Sequence, residues 1–350
     1  MTNRRDFIKQ LSAAGILSTM PGALFAQYGP ENSKIWACLL HLSFNMWEEY
    51  RITDTQDENL KIRGYLPDLQ LSEPLWNDAL TKMAAVGMNM VVIDLGDAIQ
   101  YKSHPELAVN NAWTTTRLRE ELAKCRRLGL EPIPKLNFST CHDTWLGEYS
   151  RMVSTSKYYS VCSDLIAEVI ELFDHPRFFH LGYDEETCEH QATFKYAVTR
   201  QLDLWWDDFY FFVKEVEKNG ARPWIWSDYI WNHRELFLEK MPKSVVQSNW
   251  YYGEVFDEKE TYVKAYIDLE AHGYDQIPCG GYYEASKNVY YSEKSIQNTV
   301  QFCAKRISDK HLYGFLETNW RPTIEAFREP ILKSIELTGD AKKWFDKNHK

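Results

Sequence analysis

The sequence predicts an α/β fold, a single-domain (β/α)8 TIM barrel, and two observations lead to it. From residue 35 onward, eight short apolar segments alternate with longer segments of helical periodicity, without a long hydrophilic linker. Several helical segments also end in a glycine before the next strand, at Gly87, Gly129, Gly220 and Gly273. A doubly wound open sheet is the main alternative. It would usually carry a Gly-rich phosphate loop after its first strand, and the segment 40–44 (LHLSF) is not one.

Each element follows from its own pattern of residues. The apolar, β-type segments predict strands at Ile35–Phe44, Met90–Leu95, Glu131–Phe138, Phe178–Tyr183, Pro223–Asp228, Ser244–Trp250, Gln276–Tyr283 and Leu312–Asn319. Helical periodicity predicts helices at Leu75–Val86, Thr116–Leu128, Tyr158–Phe173, Leu202–Lys218, Glu260–His272 and Glu293–Ile307, with a last helix after Pro322. The polar segment 50–71 is predicted to be a long first loop at the upper rim of the barrel.

Composition limits the classes of function. The 350 residues are 44% hydrophobic and 26% charged, a balance typical of globular proteins. Aromatic residues make up 15%, and such side chains build cores or form flat platforms for sugar rings. The net charge of −10 disfavours nonspecific nucleic-acid binding, which needs clustered Lys and Arg. No stretch of the mature chain is apolar for long enough to predict a membrane span.

The first 26 residues have the order of an export signal. Arg4 and Arg5 precede a weakly apolar stretch and then small residues up to Ala26. The paired arginines, with Phe7 two residues later, resemble a twin-arginine signal, which predicts a periplasmic or extracellular protein. Residues 27–350 are then the catalytic barrel. The seven cysteines show no CxxC pair and no zinc-ligand spacing, and no cofactor or metal is predicted.

The chemistry is expected at the C-terminal ends of the strands, where barrel enzymes carry their active sites. The fourth strand runs into three consecutive acids, Asp184, Glu185 and Glu186. Crowding of carboxylates raises a carboxyl pKa, which suits a proton donor at neutral pH. A solvated acidic loop or a helix cap could contain the same three acids, and Glu186 in particular could cap the next turn.

The segment 179–185 (FHLGYDE) resembles the His-x-Gly-Gly-Asp-Glu signature of glycoside hydrolase family 20, the β-N-acetylhexosaminidases. Four further segments are similar to family motifs in the same order, and together they span roughly residues 35–325. They are IPKLN at 133–137 with the later His142, WIWSD at 224–228, SNWYY at 248–252, and GFLETNW at 314–320.

The resemblance implies substrate-assisted retention, in which the acetamido oxygen of the sugar attacks C1. Glu185 would protonate the leaving oxygen, Asp184 would hold the acetamido N–H, and Tyr251 would hydrogen-bond the acetamido oxygen. This mechanism requires all three side chains in one cavity. The other implied pocket residues are Trp226, Trp250 and Trp320 as walls, and His142 and His180 as partners of the acids. Asp228 after the fifth strand either binds substrate or caps a helix.

The sequence also departs from the family pattern. Lys135 and Asn137 replace two acids of the third strand, and Tyr183 replaces the second glycine. Arg321 stands near the place of a missing acid after Trp320, for which Glu317 is the candidate replacement.

Two other functions remain open from the sequence. In the first, Glu185 is the acid/base and Glu284 the nucleophile of a clan A-like retaining β-glycosidase, with Glu284 otherwise a sugar-hydroxyl ligand. In the second, the barrel binds sugar without turning it over. A carbohydrate partner is expected in every case.

Overall fold

The computed structural model describes residues 33–282 and 292–349. The predicted export segment 1–26 and Glu284 lie outside the described residues.

Eight parallel strands form the barrel and confirm the predicted fold class. They are β1 (Ile35–His41), β2 (Met90–Asp94), β3 (Glu131–Lys135), β4 (Phe178–His180), β5 (Arg222–Trp226), β6 (Val246–Ser248), β7 (Cys279–Gly281) and β8 (Gly314–Thr318). Hydrogen-bonded ladders join β1 to its neighbours β2 and β8, and then run from β2 through β3, β4 and β5 to β6. Parallel bridges from Gln247 to Gln276 and from Trp250 to Cys279 bring β6 to β7.

In the described part of the chain, eight longer helices follow the strands. They are α1 (Glu73–Ala85), α2 (Thr115–Arg127), α3 (Ser156–Leu172), α4 (Leu202–Lys218), α5 (Arg234–Lys240), α6 (Thr261–Ala271), α7 (Ser295–Arg306) and α8 (Arg328–Asn348). The hydroxyls of Ser72, Thr114 and Thr155 accept hydrogen bonds from the first turns of α1, α2 and α3, which fixes where these helices begin. Helix α5 was absent from the sequence prediction. None of the helices in the described part of the chain has the length and apolarity needed to cross a bilayer.

Smaller elements extend the loops between strands and helices. Short helices lie at Glu58–Lys61 and Tyr229–Asn232, and 3-10 turns at Pro105–Leu107, Thr144–Arg151 and Glu325–Phe327. A two-residue parallel ladder pairs Ile99–Gln100 with Trp113–Thr114 in the loop after β2.

The alternation of side chains along each strand separates two hydrophobic cores. Ile35, Ala37 and Leu39 of β1 belong to an inner core that fills the barrel, together with Met90 and Val92 of β2. The intervening residues, such as Trp36, Cys38 and Leu40, pack in the outer core with the helices. On β8, Leu316 belongs to the inner core, so Glu317 takes the opposite face.

The structure therefore does not bring Glu317 to the pocket. Its side chain is buried behind the barrel wall, where its Oε2 accepts a hydrogen bond from Cys38 Sγ at 3.0 Å. Burial raises the pKa of Glu317 to about 7, although hydrogen bonds from Cys38 and Ser334 of α8 lower it. Glu317 is thus a buried structural residue that keeps its proton up to about pH 7.

We expect Glu317→Gln to weaken the pH dependence of stability. Between pH 4.5 and 7 the unfolded chain releases this proton while the folded chain keeps it, so the free energy of unfolding falls as pH rises. The contribution of this one group is about 3 kcal/mol across that range, and glutamine cannot make it. Urea unfolding at pH 4.5 and 7.5 measures the difference. Glu336→Gln, on the half-exposed side of α8, is the control that should keep the wild-type dependence. Identical pH dependence in the Glu317→Gln protein would contradict the assignment.

Candidate active site

The inward-facing positions above the inner core are polar. Lys135 is fully buried, and its Nζ donates to Asp94 Oδ2 at 2.5 Å. His41 Nδ1 lies 3.3 Å from the same oxygen. Burial opposes ionisation of Asp94, but the Lys135 charge and the His41 hydrogen bond outweigh it and lower the pKa of Asp94 to about 2. The Asp94 carboxylate therefore balances the buried positive charge of Lys135 inside the barrel.

His180, the last residue of β4, lies in the same layer. Its ring contacts Trp224 and Trp226 at centroid distances of 4.9 and 4.7 Å. Burial and the Lys135 charge hold the pKa of His180 well below its ordinary value. Its Nδ1 accepts the Gly182 N–H at 3.0 Å, so the neutral ring supports the turn that follows β4.

Asp184 and Glu185 lie together beyond that turn and share one histidine. His142 Nε2 is 3.4 Å from Asp184 Oδ2 and 3.3 Å from Glu185 Oε2. The Asp184 side chain is buried, whereas 26% of the Glu185 side chain is exposed. The structure thus brings three of the predicted site residues together, with Glu185 on the solvent side.

Asn137 fixes the orientation of Asp184. Its Nδ2 donates to Asp184 Oδ1 at 2.8 Å, and its Oδ1 accepts the N–H groups of Ser139 and Tyr183 at 3.0 and 3.2 Å. The close packing requires glycine at 182, where φ is +70° and a Cβ would lie 2.0 Å from Asn137 Oδ1. The Asn137 amide, two residues beyond the end of β3, therefore orients the Asp184 member of the acid pair.

Tyr183 and Glu186 face away from the pocket. The Tyr183 ring packs 5.1 Å from the rings of Trp205 and Phe209 on α4. Its hydroxyl accepts a hydrogen bond from Arg200, which also forms a buried salt bridge with Glu186. Tyr183 consequently fills the outer layer, and Glu186 anchors the loop after β4.

Asp228 supports the backbone of Glu185. Asp228 Oδ2 accepts the Glu185 N–H at 2.8 Å, and Glu185 has a left-handed conformation with φ of +55°. Burial, together with the negative charges of Asp184 and Glu185, raises the pKa of Asp228 to about 8. Asp228 starts the short helix Tyr229–Asn232, but its side chain forms no capping hydrogen bond there.

The sequence analysis expected a raised pKa for Glu185, but its pKa in the structure is lowered. Burial acts to raise it, but the hydrogen bond and charge of His142 outweigh burial and lower the pKa of Glu185. Burial disfavours protonation of His142, yet Asp184 and Glu185 raise its pKa above the ordinary value. His142 thus opposes the rise in the pKa of Glu185 that burial alone would cause.

An aromatic wall lines the barrel mouth above β5, β6 and β8. Trp320 lies 5.7 Å from Trp226 and donates from Nε1 to the Tyr252 hydroxyl at 2.7 Å. Tyr252 stacks on Trp250 at 5.2 Å. All four rings contact the inner core, so the three predicted tryptophans share one surface.

Tyr251 does not join this wall. Its hydroxyl donates to Val255 O at 3.1 Å, and its ring packs 5.1 Å from Phe256 in the outer layer. The period of two along the segment after β6 places Ser248, Trp250 and Tyr252 on one face and Tyr251 on the other. The sequence analysis named Tyr251, the first of two adjacent tyrosines, whereas counting by two from Ser248 places Tyr252 on the face of the aromatic wall.

The acid pair and His142 also have a spacing that a metal ion could bridge. The nearest ligand atoms of His142, Asp184 and Glu185 lie within 4.8 Å of one another. The raised pKa of His142 opposes metal binding, because a metal ion would have to displace the imidazole proton.

Comparisons with known proteins show the same fold. No family model and no curated protein sequence matches the chain. One similar solved structure is the GH20 β-N-acetylhexosaminidase from Streptomyces coelicolor A3(2), at 12% identity and a TM-score of 0.59, covering 87% of this chain and 64% of that one. The β-N-acetylhexosaminidase from Bacteroides fragilis NCTC 9343 has 13% identity and a TM-score of 0.58, with 91% and 71% covered.

The pneumococcal virulence factor StrH, whose structure addresses N-glycan recognition and hydrolysis, has 13% identity and a TM-score of 0.59, with 90% and 86% covered. The predicted resemblance is thereby confirmed at the level of the fold. The chain spans less than two thirds of the Streptomyces enzyme.

Proposed function

We propose that the protein is a retaining exo-glycosidase that removes terminal β-linked N-acetylhexosamine with the help of the substrate's own acetamido group. The observation that carries the proposal is the Asp184–Glu185 pair at the end of β4, in which only the Glu185 carboxylate is partly exposed. The aromatic wall supplies the apolar contact that sugar C–H faces need. The fold shared with several β-N-acetylhexosaminidases supports the same assignment.

In the first step, the acetamido oxygen attacks C1 and the bond from C1 to the leaving oxygen breaks. Glu185 donates a proton to the leaving oxygen, and an oxazolinium forms. Asp184, held in place by the hydrogen bond from Asn137 and the contact with His142, accepts the acetamido N–H and stabilises the positive charge. Other described carboxyls nearby have different partners, since Asp94 binds Lys135 and Asp228 binds the Glu185 amide.

Glu185 needs a proton for this step, and His142 is positioned to provide it. The sugar excludes water from the Glu185 carboxylate, which favours its neutral form. The proton moves from His142 Nε2 to Glu185 Oε2 across the observed 3.3 Å contact. In the second step, the Glu185 carboxylate removes a proton from water as the water oxygen attacks C1, and the configuration at C1 is retained.

Tyr252 takes the role that the sequence gave to Tyr251. Its hydroxyl is held by Trp320 Nε1 and lies 3.2 Å from Thr318 Oγ1, which fixes its position in the pocket wall. A hydrogen bond from this hydroxyl to the acetamido oxygen orients the internal nucleophile.

We also propose that residues 1–26 direct twin-arginine export to the periplasm or the cell exterior, with residues 27–350 as the catalytic barrel. The support is the sequence order of Arg4, Arg5 and the small residues before Gln27. N-terminal sequencing of protein from the cell envelope or culture fluid should find a mature chain that starts near residue 27. Retention of Met1 there would contradict cleavage.

Glu185→Gln should lower kcat/KM for an N-acetylglucosaminyl disaccharide by roughly 10²–10⁴-fold, because the sugar leaving group requires protonation. The loss should be smaller for a 4-nitrophenyl glycoside, whose leaving group is a better anion. Glu239→Gln on an exposed surface is the control and should match the wild type. Equal loss on both substrates would remove Glu185 from the acid role, and no turnover by the wild type would favour a sugar-binding barrel.

The same assay can separate the two enzymatic mechanisms. Asp184→Asn should weaken inhibition by a thiazoline analogue of the oxazolinium if the acetamido group is the nucleophile. If inhibition is unchanged and Glu284→Gln abolishes turnover, the clan A-like mechanism is correct instead.

Tyr252→Phe should reduce kcat on the aryl N-acetylglucosaminide by roughly 10²-fold, the usual effect of losing one donor to a developing charge. Tyr251→Phe is a matched control on the neighbouring residue and should change kcat by less than about threefold, because its hydroxyl faces Val255. A larger loss in Tyr251→Phe than in Tyr252→Phe would reverse the assignment.

A further inference from the structure

Three loops at the barrel mouth are fastened together on the side of β1, β3 and β4. The Tyr50 hydroxyl in the loop after β1 donates to Thr193 O in the loop after β4 at 3.4 Å. Thr144 Oγ1, in the loop after β3, donates to Trp47 O at 3.3 Å. These contacts make one continuous surface from loops that are distant in sequence.

This surface presents aromatic rings, each with a cation above it. The distances from cation to ring centroid are 4.6 Å for Arg63 over Trp47, 5.7 Å for Lys195 over Tyr50, and 4.3 Å for Arg151 over Tyr196. We call these six residues, together with His190, the cationic rim. Flat rings beside positive charges suit a sugar that carries an anionic group.

The cationic rim borders the acid Glu185 on its solvent side. His190 is exposed, and its Nε2 lies 3.6 Å from Glu185 Oε1. Trp47 meets the edge of His142 at a centroid distance of 4.5 Å. The charges of His190 and Arg63 both act on Glu185. Because the leaving group of an exo-glycosidase extends past its acid toward solvent, the rim adjoins the leaving-group position.

Part of the rim charge is uncompensated. Arg151 forms a salt bridge with Glu49 at 3.0 Å, but no carboxylate whose side chain the structure describes forms a salt bridge with Arg63 or Lys195. The buried Glu48 offsets part of the Arg63 charge, and its carboxylate accepts a hydrogen bond from Thr193. Unpaired cations beside the site are notable in a chain with a net charge of −10.

We propose that the cationic rim binds a leaving-group sugar that carries a carboxylate or a sulfate, so that the preferred substrate is N-acetylhexosamine linked to an acidic saccharide. This rests on the proposed function for the position of the leaving group. Exposed ion pairs contribute little individually, so two free cations should give roughly a tenfold preference in kcat/KM at low salt.

The test compares N-acetylglucosamine β-linked to glucuronate, to sulfated glucose and to glucose. We expect the wild type to prefer the anionic substrates roughly tenfold in 20 mM salt, and this ratio should approach one in 0.5 M salt. The double variant Arg63→Ala/Lys195→Ala should lose the preference. Lys343→Ala, an exposed cation on α8, is the control and should retain it. The uronate and the sulfate together distinguish which anion the rim prefers.

Two outcomes overturn the proposal. One is equal kcat/KM for neutral and anionic substrates in the wild type at low salt, and the other is an unchanged ratio in the double variant. Calorimetry on Glu185→Gln separates this result from the proposed function. If the wild type hydrolyses neither disaccharide but Glu185→Gln binds the uronate disaccharide more tightly than the neutral one, the rim proposal is supported and the proposed hydrolase activity fails. If both are hydrolysed equally, the hydrolase stands and the rim proposal falls.

Discussion

The Asn137 side chain is the contact on which the geometry of the site depends. It joins the end of β3 to the turn after β4 by accepting two backbone N–H groups and donating to Asp184. This contact leaves room for only glycine at 182, and it sets the left-handed turn from which Asp184 and Glu185 emerge in different directions. Asp184 is consequently buried and fixed, whereas Glu185 reaches the pocket opening. Two adjacent acids can therefore perform different tasks.

The carboxyl groups in and around the acid pair differ in their cationic neighbours, and this affects how readily each one ionises. His142 contacts both members of the acid pair and Lys135 pairs with Asp94, whereas no cation in the described part of the chain pairs with Asp228, which holds its proton to about pH 8. Each state follows from a specific neighbour and from burial. Farther out, the proposed cationic rim places positive charge near solvent, where it attracts an approaching anionic substrate.

The sequence was sufficient for the barrel because short β-type segments alternate regularly with helical ones, and four of the helices are followed by a glycine. It was also sufficient for the acid pair, which directly follows a strand end at the barrel mouth, whereas His142 was implied by the family resemblance. Helix α5 was missed because it has only seven residues and one buried position, Phe237, too little to show periodicity. The alternation rule was available for Tyr252 and Glu317 but was not applied to them. By contrast, the Asn137 contacts and the His142 proton depend on neighbours that are distant in sequence, and no local pattern encodes these.

The buried pair of Lys135 and Asp94 restricts which substitutions the interior of this barrel tolerates. Changing either residue alone leaves one charge without a partner in the interior, at a cost of about 3–5 kcal/mol, which a domain of ordinary stability can scarcely tolerate. A change of charge at either position must therefore pass through a correlated double change or a neutral intermediate. Lys135 and Asp94 are accordingly expected to be kept together or lost together.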